Sequence, residues 1–228
     1  MSKQKKDVLR PVDDEARRLA KTLIRTARFA ALGTLEADGA PAVSRVSVAT
    51  AMDGRVGFLI SGLSGHFVNL SRDPRCSLLV GEPGKGDPLA HPRLTLIGRA
   101  RRLIDGAERA HIRARYLMHH PKSALYADFG DFAFWLLEPE RASLNGGFGK
   151  AFALTPADLL SAAPDDLAAM EAGAVEHMNT DHADAVDRMA AKRPAGACHR
   201  LIRRASTCHA AITPCGCGFP ARSLRREK

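Results

Sequence analysis

The sequence predicts an α+β fold, a β-barrel of about six antiparallel strands with helical embellishment. Three observations predict it. Short apolar runs alternate with period two, X-Asp-Gly turns join consecutive runs, and helical periodicity is kept to the ends and to short insertions. A doubly wound parallel sheet would need strands and long helices in strict alternation, and that pattern is absent.

The elements follow in order. Residues 13–29 read as an amphipathic helix, with Ala16, Leu19, Leu23, Ile24 and Ala27 on one face. "FAALGTL" reads as a strand, and Glu36-Ala37-Asp38-Gly39 as its turn. "AVSRVSVA" alternates, sending Val43, Arg45, Ser47 and Ala49 one way and Ser44, Val46 and Val48 the other. A second turn at Met52-Asp53-Gly54 leads into "RVGFLI". "FLISGLSGHFVNLSRDPRCSLLV", residues 58–80, is then strand, short helix, strand: the first run breaks at Ser61-Gly62 and the helix stops at Asp73-Pro74.

A Gly/Pro-rich loop precedes "RLTLIGRARRLI", where Leu94, Leu96 and Ala100 share one face and Thr95, Ile97 and Arg99 the other. Residues 106–119 look helical and end at His120-Pro121. "DFAFWLLEPERASL" supplies the last strand, followed by the glycine loop Asn145-Gly146-Gly147-Phe148-Gly149. Helical pattern resumes at Pro156 and runs from Asp165 to Met189. The expected organisation is a barrel domain over 1–155, the helical start of a small C-terminal domain over 156–190, and a tail over 191–228.

The net charge of +9 resembles a nucleic-acid signal until it is mapped. Residues 191–228 hold nine Lys/Arg and one acid, which leaves 25 basic and 24 acidic residues on the body. The body therefore offers no field for nucleic acid. No apolar stretch approaches the ~20 residues of a membrane span, and the N-terminus lacks the apolar core of a secretory signal, so a cytoplasmic protein is expected.

No dinucleotide fingerprint, P-loop or nucleophile elbow occurs, and no carboxylate pair stands out. The strand-to-helix turn at 58–69 is the best candidate for chemistry. A helix's first turn has unpaired N–H groups and the positive end of its dipole, so Ser61 and Ser64 there suit a phosphate. His66 and Asn69, a turn further on, suit the same anion or the chain attached to it. The plainer alternative makes Ser61 or Ser64 a helix cap and His66 a solvated residue.

The ordered words "GAPAVSRVSVA", "DGRVGFLISGLSGHFVNLSRDPRCSLLV" and "GDPLAHPRLTLIGRARRL" resemble the FMN-binding split barrel of the pyridoxamine 5′-phosphate oxidase superfamily. The branch with HugZ-type heme-utilisation proteins is the nearest in pattern. The resemblance continues through "YLMHHPKSALYADFGDFAFWLLEPERASLNGGFGKAFAL", covers roughly residues 15–155, and enters "EHMNTDHADAV", which is similar to the opening of that branch's small domain. It implies a six-stranded antiparallel split β-barrel with flanking helices and a truncated C-terminal helical segment. It also implies FMN in a cleft between two barrels of a homodimer.

In the oxidases of the superfamily, an Arg/Lys strand and a Ser-Arg-Lys helix start grip the phosphate. Ser64, Gly65 and His66 fall on that helix start, and Ser44 and Arg45 on the strand. By the same resemblance, Arg93 and Thr95 line the flavin and Gly147-Phe148-Gly149 closes the site. Gly65 removes one cation, and Arg45 is the residue expected to compensate.

The resemblance implies an FMN-dependent oxidoreductase acting on a small molecule. Flavin does the redox chemistry itself, so no catalytic acid or base is assigned. A HugZ-type protein that binds and degrades heme is the second implied reading. His177, His182, His199 and His209 are available to heme iron, but none sits in a heme motif. A non-catalytic regulatory barrel is the third.

The tail departs in composition: it holds Cys198, Cys208, Cys215 and Cys217, against Cys76 alone in the body. Its Cys and His spacings match no structural zinc pattern, so no metal is expected there. Arg, Pro, Ala, Cys and Gly together are what a GC-rich gene yields out of frame. Back-translating residues 206–220 with GC-rich codons and shifting by one nucleotide produces a Gly-Asp turn followed by an alternating strand. A frameshift product is therefore expected from about residue 191.

Overall fold

In a computed structural model, the structure describes residues 9–162 and 165–191. The tail over 192–228, with its cysteines, with His199 and His209 and with the frameshift reading, lies outside the described residues. The chain divides into two compact units, residues 1–173 and 174–228.

Helix α1 (Asp14–Thr26) starts where the Asp13 carboxylate accepts a hydrogen bond from the Ala16 N–H at 2.7 Å. It ends earlier than the periodicity suggests, because Ala27 is already extended. Its closest face is built of Ala16, Ala20 and Ile24, and the small alanines let the helix sit tightly on the barrel. Arg17 reaches Asp158 of helix α4 (Pro156–Leu159), whose carboxyl is held at about 2 by bonds from Thr155 and Arg17.

Seven strands follow: β1 (Phe29–Leu35), β2 (Pro41–Thr50), β3 (Val56–Ser61), β4 (Arg75–Val80), β5 (Arg93–Arg102), β6 (Phe132–Asn145) and β7 (Ala151–Leu154). The expected Asp-Gly turns join β1 to β2 and β2 to β3. At their tips Gly39 and Gly54 take φ of 89° and 101°, a region that side chains disfavour. The sheet order is β3-β2-β1-β4-β5-β6-β7, and β3 pairs back onto β6. Six antiparallel strands thus close into a ring, and β7, which the sequence reading had not separated, adds to the edge of β6.

Side-chain alternation sorts the ring into inside and outside. Ser44, Leu32, Leu78, Leu96, Ala142 and Leu154 form one inward row across the strands. Leu32, Val46, Val48, Phe58, Leu78, Leu96 and Trp135 fill the interior. Helix α2 (Gly65–Arg72) closes one end, where Phe67 packs edge-on against Trp135 at 5.6 Å.

Helix α3 (Ala107–His119) lies on the outside, over β2, β3 and β6. Ile112 and Tyr116 meet Ala49, Leu59, Phe134 and Leu136 there in a second core. Gly57 makes this approach possible: a Cβ on it would stand 2.8 Å from Ile112 Cγ2. Ala49 faces outward as its alternation requires, yet it is buried because α3 covers it.

The helical pattern over 165–189 is not one helix. It breaks at His182 into α5 (Asp165–Asp181) and α6 (Ala183–Ala191), with the His182 carbonyl accepting from the N–H groups of Ala185 and Val186. In α5, Glu171 is buried in an ion pair with Arg115 of α3. No helix among the described residues is long and apolar enough to cross a membrane.

Candidate functional site

The barrel has a seam. Pairing between β2 and β3 stops at Val48–Phe58. Beyond that point β3 continues to Ser61 along β6 only, while β2 runs back to Pro41 along β1 only. The two strands part, leaving the β2 edge over 41–47 without a partner on that side among the described residues. One lip of the seam carries Ser44 and Arg45. The other carries Ser61 and the turn into α2, with Ser64 and His66.

The second lip is held by local bonds. Ser61 Oγ donates to Asp131 Oδ2 at 2.9 Å and accepts from the Leu63 N–H at 3.2 Å. Ser64 occupies the N-cap position of α2 with extended backbone, but its hydroxyl turns back to donate to the Ser61 carbonyl at 2.7 Å. The first turn of α2 therefore has no side-chain cap, so its N–H groups keep the positive end of the dipole available. Apart from its chain neighbours and its own helix backbone, no described atom lies within 4 Å of the place where a Gly65 Cβ would stand, so the backbone is open to a close approach. Partial burial pulls the His66 pKa below its ordinary value.

Asn69 does not join this lip. It is buried and its amide donates to Thr34 Oγ1 at 3.1 Å, tying α2 to the end of β1. Its role in the structure is to seat the helix. Asp131, the partner of Ser61, was missed by sequence reasoning, since a single carboxylate before an apolar run carries no signal.

Outside the barrel, one row crosses six strands: Arg45, Ala31, Leu79, Thr95, Ser143 and Ala153. Arg45 and Thr95 thus share a face. A groove of about 320 Å³ opens on it, lined by Phe29, Ala31, Val43, Arg45, Leu79 and Glu82, a volume at the small end for organic ligands. The Arg45 guanidinium lies 5.3 Å over the Phe29 ring, and among the described residues no carboxylate pairs with it.

The remaining predicted residues sit elsewhere. Arg93 pairs with Asn145 at the far end of β6, whereas Ser61 pairs with Phe132 at its start. β6 is 14 residues long, which is roughly 40 Å of extended strand. Gly147 and Phe148 occupy the loop after that far end; Gly147 has φ of 106° and packs against the Ala90 carbonyl, and Phe148 is exposed. Within one chain, the Ser61–Ser64–His66 lip and the Arg93–Gly147–Phe148 end do not meet around one ligand.

Residues 17–146 match the family model for pyridoxamine 5′-phosphate oxidase. A similar characterised protein is the chloroplastic non-canonical heme oxygenase HOZ of Arabidopsis thaliana, 34% identical over 150 residues. The match covers 64% of this chain and 45% of that protein, so the chain spans less than half the length of this relative. Among solved structures, a heme binding protein from Mycobacterium smegmatis is 32% identical with a TM-score of 0.60, covering 79% of this chain and 74% of the other. A protein of unknown function from Agrobacterium tumefaciens is also 32% identical, with a TM-score of 0.70, covering 84% of this chain and 81% of the other.

Proposed function

The chain belongs to the pyridoxamine 5′-phosphate oxidase family, and on that premise we propose that it binds FMN along the seam and acts as an oxidoreductase on a small molecule. The observation that carries this reading is the uncapped first turn of α2 beside open Gly65, on one lip of a seam whose other lip bears Arg45. That donor set fits a phosphate: backbone N–H groups, one imidazole N–H and one permanent cation, joined by the Ser64 hydroxyl when it turns from the Ser61 carbonyl.

Bound flavin supplies the electron and hydride transfer. The chain's own residues position it. Arg45 offsets the charge that Gly65 leaves without an arginine. Thr95 and the groove walls on the outer row offer a surface for the rest of the cofactor. Arg93, Gly147 and Phe148 belong to the same site only when a second copy brings its far end to the first copy's seam, so the working unit in this reading is a homodimer.

The purified protein should be yellow, with flavin absorbance near one FMN per chain. A colourless protein that takes up no added FMN overturns the reading.

A second reading, heme binding and degradation in the HugZ-type manner, is favoured by the two relatives named for heme, at 34% and 32% identity. Its test is hemin addition: a shifted Soret band, then loss of that band when a reductant is supplied. A protein that binds neither flavin nor hemin would be a non-catalytic member of the family.

A further inference from the structure

The second unit holds an arrangement that the flavin site does not use. His177 and Asp181 lie one turn apart on α5, and His177 Nδ1 donates to Asp181 Oδ2 at 2.7 Å. That bond fixes the ring's orientation and tautomer, and leaves Nε2 as the nitrogen with a free lone pair. The helix then breaks at His182, and the break brings a second imidazole beside the first: the two ring centroids are 5.0 Å apart, with the planes at 90°. His177 and Asp181 are more than half exposed, at 57% and 56%, and His182 is exposed as well, so the pair is open to solution.

We propose that His177 and His182 bind a first-row transition metal ion of the zinc class, with Asp181 as the positioning carboxylate. Metal-bound imidazole commonly passes its second N–H to a carboxylate, as His177 does. Two imidazoles bound to one ion at 2.0–2.1 Å with a tetrahedral angle have ring centroids about 5 Å apart, which matches the separation seen. Imidazole suits zinc, copper and nickel better than the hard cations. Among the described residues no three His, Cys, Asp or Glu converge as a cage, so the ion takes two protein nitrogens and keeps water in its other positions.

The test is equilibrium dialysis of the full chain against Zn²⁺, with Cys198, Cys208, Cys215 and Cys217 replaced by serine so that thiols do not compete. In that background the protein should bind one more Zn²⁺ than either His177→Gln or His182→Gln. Asp181→Ala should keep the stoichiometry and weaken binding by roughly tenfold or more. The substituted side chains are exposed, so helicity by circular dichroism should not change. Equal stoichiometry and affinity in both histidine variants overturns the site and leaves only a ring stack. Loss in one histidine variant but not the other overturns the two-imidazole arrangement.

Discussion

The outer surface of the barrel has two halves built by the same rule and finished differently. Under α3, the outward residues Ala49, Leu59, Phe134 and Leu136 are dry, packed by Ile112 and Tyr116 into a second core. Across β1, the first half of β2, β4 and β5, the outward residues stay bare: Val43 is 74% exposed, Leu79 42% and Phe29 39%. Both halves present apolar side chains, mixed on the second with Arg45, Ser77 and Thr95, and only the first has its cover within the described chain. On this bare face Arg45 has no carboxylate partner among the described residues, an open seam borders it, and exposed apolar side chains surround it, as on surfaces that take a ligand or partner. The covered half serves stability, and the bare half is the one the proposed site uses.

The largest effect separating the halves should come from Phe134→Ala on the covered side. Phe134 is fully buried, with its ring 5.5 Å from Tyr116. The variant should lose about 3–5 kcal/mol in denaturant unfolding; a loss near zero would mean that α3 is not seated there.

Next in size, Val43→Asp on the bare side should leave the monomer's stability almost unchanged. If the proposed second barrel sits on this face, the aspartate becomes an unpaired buried charge, and association should weaken by about 3 kcal/mol. Sedimentation would show the shift to monomer, and an unchanged dimer would move the interface elsewhere.

Arg45→Ala tests the seam itself. FMN affinity should fall by about 1.5–3 kcal/mol, the value of a charge-assisted contact, with the unfolding midpoint preserved. Unaltered affinity would show that this lip does not face the phosphate. The smallest effect belongs to Ser64→Ala. Its hydroxyl bonds the Ser61 carbonyl and caps no N–H, so stability should shift by less than about 0.5 kcal/mol. FMN affinity should drop by about 1 kcal/mol, one neutral hydrogen bond.

Much of the barrel was legible residue by residue. Alternation in "AVSRVSVA" put Ser44, Val46 and Val48 on one face and Arg45 on the other, and the Asp-Gly pairs placed both hairpin turns. The break at Ser61-Gly62 and the stop at Asp73-Pro74 bounded α2. These signals are local: a period of two states which side chains share a face, and a glycine states where φ turns positive.

Less was legible where distant residues decide. Asn69, a candidate ligand by its place on the helix, is buried with its amide bonded to Thr34, 35 positions away. Ala49 shares a face with Val43 and Arg45 in the alternation, yet it alone of the three is buried, beneath α3. The helix over 165–189 read as continuous and breaks at His182. Alternation names two faces for every strand but cannot say which outer face a helix will cover. The parting of β2 from β3 follows from β3 pairing with β6, more than 70 residues later in the chain. Local pattern therefore determined the strands, the turns and which side chains share a face, because those depend on neighbours in sequence. Closure of the ring, the seam and the bare face came from packing between elements far apart in the chain, which no local pattern encodes.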